Sequence, residues 1–246
     1  MTTANAQGID LGVPVRAEEA FDEAVIDQWL KARKPELYGC PEVTQFTGGA
    51  SNWTYRLAYP NGDFILRRPP QGTKAESAHN MGREFAIQQA LKPQFSKVPD
   101  MVDYCSDTAL IGTDFYVMER MPGIIPRKNL PRSVQLSESQ VQGLCKNMLD
   151  TLIQLHQVDI ETAGLAHLGK GSGFVARQVS GWNGRYKKAR TWHVPRANNL
   201  MQWLEDNMPS TEQLCMTHND FRFDNLVLNA QDPTEIQAVL DWELAT

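Results

Sequence analysis

His218-Asn219-Asp220-Phe221-Arg222-Phe223-Asp224-Asn225 sets a carboxylate, Asp220, five positions ahead of an amide, Asn225. A strand-like run, Leu226-Val227-Leu228, follows at once. A second such run, Ala238-Val239-Leu240, ends in Asp241. Moving a phosphoryl group onto a hydroxyl needs a carboxylate that orients the acceptor and takes its proton. It also needs oxygen ligands that hold Mg2+ against the phosphates. Asp220 suits the first task, Asn225 and Asp241 the second. Taken alone, Asp220 in a polar loop reads equally well as a turn cap. The hairpin ending in a second aspartate favours the catalytic reading. His218 reads as structural, bonded to backbone near Asp220 or Asp241.

Upstream, short runs with strand chemistry span Glu42 to Thr47, Trp53 to Tyr59 and Asp63 to Arg68. Thr47-Gly48-Gly49-Ala50 and Pro60-Asn61-Gly62-Asp63 separate them as turns, which predicts an antiparallel meander. Met101 to Cys105 and Asp114 to Met121 supply two further strands. Helices are expected over Glu18 to Arg33, with Phe21, Val25 and Trp29 as its stripe, and over Glu76 to Leu91. Ser137-Glu138-Ser139-Gln140 is a capping box. The helix behind it runs to His156, with Val141, Leu144, Cys145, Met148, Leu149, Leu152 and Ile153 expected in the core. A Gly-rich loop and a Trp-rich stretch then lead to a helix over Asn198 to Asn207. Trp182, Arg185, Tyr186 and Trp192 read as core more readily than as a ligand cage. Residues 1 to 17 read as a loose arm.

The 246 residues, 41% hydrophobic and 22% charged, suffice for a sizeable core. The net charge of −5 gives no reason to expect a nucleic-acid surface. Cys40, Cys105, Cys145 and Cys215 lie too far apart for a C-x-x-C pair and read as reduced, mostly buried thiols. The start has no basic segment followed by an apolar run, and no stretch reaches the roughly 18 apolar residues of a membrane helix. A cytoplasmic protein without membrane contact is the expectation, with an organelle left open.

The segment from His218 to Asn225 resembles the catalytic loop of the protein-kinase-like fold, in the form used by aminoglycoside phosphotransferases and choline kinase-like relatives. Asp241-Trp242-Glu243 stands where protein kinases have Asp-Phe-Gly. The likeness extends from about Thr44 to the end. Thr47-Gly48-Gly49-Ala50-Ser51-Asn52 sits in the place of the nucleotide-covering loop, Phe64-Ile65-Leu66-Arg67 in that of the third strand. Glu84 of Gly82-Arg83-Glu84-Phe85 matches the helix glutamate. Tyr116-Val117-Met118-Glu119-Arg120-Met121 matches the hinge beside adenine. Leu66-Arg67-Arg68-Pro69-Pro70 with His79 and Arg83-Glu84 is most similar to the subgroup fused to acyl-CoA dehydrogenase domains.

The resemblance implies an α+β, two-lobed fold: an antiparallel five-stranded N-lobe and a mainly helical C-lobe. It divides the chain into an arm and helix over 1–40, a nucleotide-binding lobe over 41–121 and a catalytic lobe over 122–246. It implies ATP and Mg2+ as cofactors. Ser51, Asn52, Ile65, Arg67, Glu84, Met118, Glu119 and Met121 would face the nucleotide, with Arg67 paired to Glu84. Arg222 would neutralise the transferred group, and Asp224 would brace the loop or face solvent. Two features depart from the pattern: the third-strand lysine is Arg67, and the loop lacks full G-x-G-x-x-G spacing. Relatives continue beyond the position of Asp241, so a C-terminally truncated C-lobe of marginal stability or with a tendency to associate is expected. The function implied is γ-phosphoryl transfer to a small hydroxylated metabolite, a hydroxylated acyl-CoA before an antibiotic. Fusion to or association with an acyl-CoA dehydrogenase is the implied partnership. The alternatives are a catalytically silent nucleotide-binding module and an inactive fragment.

Overall fold

Side-chain alternation along residues 42–119 builds a five-stranded antiparallel sheet. The computed structural model describes residues 8–47, 52–70 and 80–246. Strands β1 (Glu42–Phe46), β2 (Trp53–Tyr59), β3 (Gly62–Arg68), β4 (Met101–Cys105) and β5 (Phe115–Glu119) lie in the order β1-β2-β3-β5-β4. Successive side chains of a strand point to opposite faces. Phe64 and Leu66 of β3 therefore pack with Ile26, Trp29 and Leu30 of helix α1 (Glu23–Lys31). Ile65 joins Met81, Tyr116 and Met118 on the other face, beneath helix α2 (Met81–Leu91).

The first helix is shorter than expected. Asp22 accepts the N–H groups of Ala24 and Val25 and so starts α1, while Ala17–Glu19 forms a separate 3-10 turn. Its buried stripe is Ile26, Trp29 and Leu30, with Val25 only half-buried. The expected loose arm is not loose over residues 8–13: Val13 and Gln45 exchange two backbone hydrogen bonds of 2.8 Å. The expected helix start at Glu76 lies outside the described residues, and α2 begins after Asn80, whose side chain accepts the Arg83 N–H.

The second half is mainly helical. Helix α3 (Glu138–His156) opens on the capping box read from the sequence, with Ser137 and Gln140 bonded reciprocally. Its core stripe differs from the expected one. Leu144, Thr151 and Leu155 are buried, whereas Val141, Cys145, Leu149 and Ile153 face outward. Two apolar stripes at helical spacing look alike in sequence, and packing chooses between them.

Helix α4 (Phe174–Ala189) was not anticipated, and α5 (Asn198–Asp206) was. The aromatic cluster of α4 and the turn after it is not core: Trp182 is 62% exposed and Trp192 92%. Arg185 instead lies over the Trp182 ring at 4.6 Å. Of the cysteines, Cys40 and Cys145 are exposed, correcting the mostly buried reading. No helix among the described residues is long and apolar enough to cross a membrane.

Strands β6 (Leu226–Leu228) and β7 (Ile236–Val239) form the small antiparallel hairpin. Its apolar side joins Leu144, Leu155, Met216 and Trp242 in one core that also takes Ile87 and Leu91 from α2. One helix thus touches both lobes. The crossing segment after β5 is fastened to the hairpin as well, through Ile124 and Leu228, which exchange hydrogen bonds of 2.9 and 2.8 Å.

Candidate active site

A cleft of about 440 Å³ separates the five-stranded sheet from the hairpin. Residues of the 218–225 loop reach it because the chain turns sharply at two places. Asn219 and Asp241 both adopt left-handed backbone, at φ 63° and 68°. Asn and Asp tolerate that region better than other side chains do. Asn219 is held by bonds of 2.9 Å from its amide to the Leu244 carbonyl and the Thr246 hydroxyl.

His218 braces the loop from below. Its Nδ1 accepts the Asp220 N–H at 3.3 Å, so Nε2 is the protonated nitrogen and donates to the Leu240 carbonyl at 2.9 Å. Burial lowers the imidazole below its ordinary range, and the bond to Leu240 and the charges of Asp241 and Asp220 only partly offset this. A neutral histidine therefore ties the 218–225 loop to the residue before Asp241. Trp242, fully buried, packs on it at 4.6 Å between ring centres and donates to the Val239 carbonyl at 2.9 Å.

Asn225 donates to both the backbone carbonyl and the carboxylate of Asp220, each at 3.0 Å. Its amide nitrogen is thus committed, which leaves its carbonyl oxygen as the group that can meet a cation. Across the cleft Arg67 forms a fork, with Nη1 2.6 Å from Glu84 and Nη2 2.9 Å from Asp241. Burial alone would lower the Arg67 guanidinium, but Glu84, Tyr116 and Asp241 together hold it well above its ordinary value. Burial pushes the Glu84 carboxyl up, and Arg67 opposes that. Arg222 is gripped by Asp224 through two bonds of 2.5 and 2.6 Å, and both residues line the cleft.

Ile65, Met118, Glu119 and Met121 form the wall beneath the sheet. The Glu119 carboxylate is taken by Lys34 at 2.9 Å, and the Glu119 N–H by the Asp100 carbonyl at 2.8 Å. Asn52 lines the cleft too, and its amide donates to Glu243 at 3.1 Å. Ser51 lies outside the described residues, as do Gly48 to Ala50 and His79.

Sequence reasoning missed several cleft residues. Glu243 stood beside Asp241 in the motif without a role, and Arg127 and Asp10 carried no motif at all. Arg83 was quoted only for its place in the α2 motif. Its guanidinium reaches across to the carbonyls of Glu243 and Ala245 and pins the segment after Asp241 to α2.

The donor set fits a Mg2+ nucleotide. Among the described residues no three His, Cys, Asp or Glu side chains converge as a self-sufficient metal site. One carboxylate, Asp241, with one amide oxygen, Asn225, is instead the kind of small donor set Mg2+ takes when substrate phosphates supply further ligands. Arg67 Nε is buried without a hydrogen-bond partner among the described residues.

Residues 42–246 match the model of the phosphotransferase enzyme family. The chain is 36% identical over 243 residues to acyl-CoA dehydrogenase family member 10 of Mus musculus, covering 97% of this chain and 22% of that protein. Among solved structures, a putative aminoglycoside phosphotransferase from Ralstonia eutropha superposes with a TM-score of 0.78 at 29% identity, over 92% of this chain and 66% of that one. An aminoglycoside phosphotransferase in a ternary complex with streptomycin and ATP superposes with a TM-score of 0.59 at 16% identity, over 92% and 72%. The last likeness is one of fold alone. With its five-stranded sheet, its helical half and its match over residues 42–246, the chain belongs to the phosphotransferase enzyme family, in the kinase-like fold of the aminoglycoside phosphotransferases.

Proposed function

We propose that the chain transfers the γ-phosphoryl group of ATP to a hydroxyl of a small metabolite, with residues 41–121 holding the nucleotide and 122–246 the catalytic loop. The observation that carries this reading is the pairing of Asp220 with Asn225 at 3.0 Å, opposite an Arg67 fork that holds Asp241. Asp220 accepts the acceptor's hydroxyl proton, a task typically worth about 10² to 10⁴ in rate. Asn225 keeps the Asp220 carboxylate in place. Arg67 and Arg222 face the phosphates as fixed positive charge. Ile65, Met118 and Met121 give the base an apolar wall. Mg2+ held by Asn225 and Asp241 would neutralise charge on the phosphates.

Two features support a hydroxylated acyl-CoA as the acceptor class. One is the similarity to a protein named as an acyl-CoA dehydrogenase family member. The other is that this chain spans 22% of that protein's length, which leaves room there for a dehydrogenase portion. Association of this chain with such a domain is part of the same proposal.

Calorimetric titration with ATP, with and without Mg2+, tests the reading beside Asp241→Asn, which keeps the left-handed backbone accessible. Binding that needs both Mg2+ and Asp241 is expected. A folded wild-type chain that takes up no nucleotide would overturn it. Turnover of hydroxyacyl-CoA should fall by about 10² or more in Asp220→Ala.

A further inference from the structure

Asp10 lines the cleft although the next lining residue along the chain is Phe46. It sits on the N-terminal segment, which pairs with β1 through Val13 and brings Asp10 to the cleft lining. The segment is fastened at several points. Besides the Val13–Gln45 pair, the Thr44 hydroxyl donates to the Leu11 carbonyl at 2.7 Å, and Arg120 donates to the Asp10 carbonyl at 2.8 Å. Gly12, at φ +82°, permits this close approach, because a Cβ there would meet the Thr44 side chain and the Gln45 carbonyl. The strap thus joins β1 to the hinge that follows β5.

The Asp10 carboxylate is 16% exposed and faces the cleft. Its Oδ1 accepts the Gly12 N–H at 2.9 Å, and Arg127 lies 3.8 Å from Oδ2, beyond hydrogen-bond length. A carboxylate accepts about four hydrogen bonds, so acceptor capacity remains. A polyphosphate would be repelled by this group, whereas a neutral donor would pair with it. A hydroxyl pair is the chemistry that fits. Arg120 and Arg127 place Asp10 beside the segment that follows β5.

We propose that Asp10 is a nucleotide-binding residue, delivered by the N-terminal strap, that accepts hydrogen bonds from the ribose hydroxyls of the bound nucleoside triphosphate. The proposal rests on the nucleotide reading above and adds a specificity determinant to it. Charged hydrogen bonds of this kind discriminate by roughly 10- to 100-fold.

Calorimetry in Mg2+ with ATP and with 2′,3′-dideoxy-ATP tests it on wild type, Asp10→Ala and Asp10→Asn. Wild type should bind ATP ~10-fold or more tightly than the dideoxy nucleotide. Asp10→Ala should lose that preference while binding dideoxy-ATP no more weakly than wild type does. Asp10→Asn keeps an acceptor for the Gly12 N–H, so it preserves the strap if the alanine variant misfolds, and it should lose most of the same preference. Equal weakening of both nucleotides, or an unchanged ATP preference, would overturn the ribose role and leave the nucleotide cleft standing. Failure of folded wild type to bind either nucleotide would overturn both readings.

Discussion

Arg67 and Asp241 are 174 positions apart, yet Nη2 of one lies 2.9 Å from Oδ1 of the other. The other arm of the same guanidinium holds the buried Glu84. One side chain of the sheet therefore fixes a carboxylate on α2 and a carboxylate at the end of the hairpin. A lysine has a single ammonium and cannot reproduce that planar fork. In this chain the third-strand cation is a bridge between the two halves.

Arg67→Ala leaves Glu84 buried without its counter-charge, which costs about 3–5 kcal/mol. The loss carries a pH signature. Without Arg67, burial raises the Glu84 carboxyl further above its unfolded value of 4.5. A group with a raised folded pKa contributes stability below its unfolded pKa and loses it as pH rises. Urea melts should show the variant losing stability, relative to wild type, between pH 4.5 and 7. Glu84→Gln in the Arg67→Ala background should remove that pH dependence. A variant whose deficit is flat across this range would contradict the bridge.

Arg68 needs a different account. It is fully buried, with Nη2 donating to the Glu19 carbonyl at 2.6 Å and to the Tyr55 hydroxyl at 3.0 Å. Its guanidinium lies 4.8 Å from the Trp53 ring and 5.4 Å from that of Phe21. The cation is thus dispersed over carbonyls and aromatic faces, which suits guanidinium better than ammonium. Arg68→Lys should destabilise the chain by about 2–3 kcal/mol in chemical denaturation. Because its side chain points away from the cleft, nucleotide affinity of the folded variant should stay at the wild-type value.

His218 gives a stability effect of opposite pH sign. Burial lowers its folded pKa below the unfolded value of 6.5. Its contribution is therefore complete above pH 6.5 and lost as pH falls through the folded pKa. Protonation of Nδ1 would also remove the acceptor for the Asp220 N–H. Urea melts from pH 7.5 down to about 5 should show the decline in wild type. His218→Gln should be less stable at pH 7.5 and flatter across the range. Equal slopes would exclude His218 as the group responsible.

How much of this was legible beforehand depended on the distance over which each feature is decided. The strands around Tyr55, Leu66 and Val117 carry their own alternation, and the α3 capping box is complete within four residues, so both could be read locally. Helix α4 could not. Its interior holds Gly181 and Gly184, and its start is capped by Glu212, whose carboxylate takes the N–H groups of Gly173 and Val175 from 39 and 37 positions away. Those bonds lower the Glu212 carboxyl below its ordinary range. The outward stripe of α3 failed for another reason, because Leu149 and Leu144 differ only in what the fold places opposite them. In the cleft, Asp220, Asn225 and Asp241 were visible as a motif. Asp10 was not, since nothing near it in sequence signals that a strap carries it to the hinge.

Gly123 tests whether the two halves are set by the crossing segment. It passes directly over β6, where a Cβ would run into the Leu228 carbonyl and the Val227 side chain. Its neighbour Ile124 is paired with Leu228 on both sides of the backbone. Alanine at 123 must push the segment off the strand or shift the strand itself, and overpacking of this kind costs about 1–3 kcal/mol. The strand that moves is the one that begins directly after Asn225, so the effect should not stop at stability. Gly123→Ala should melt lower and should also weaken Mg2+-dependent ATP binding, although it changes no charge. A destabilising substitution at equal cost remote from the hairpin, such as Ile26→Val beneath the sheet, should leave binding by the folded fraction unchanged. If both variants weaken binding alike, the loss reflects general stability, and the crossing segment does not position the site.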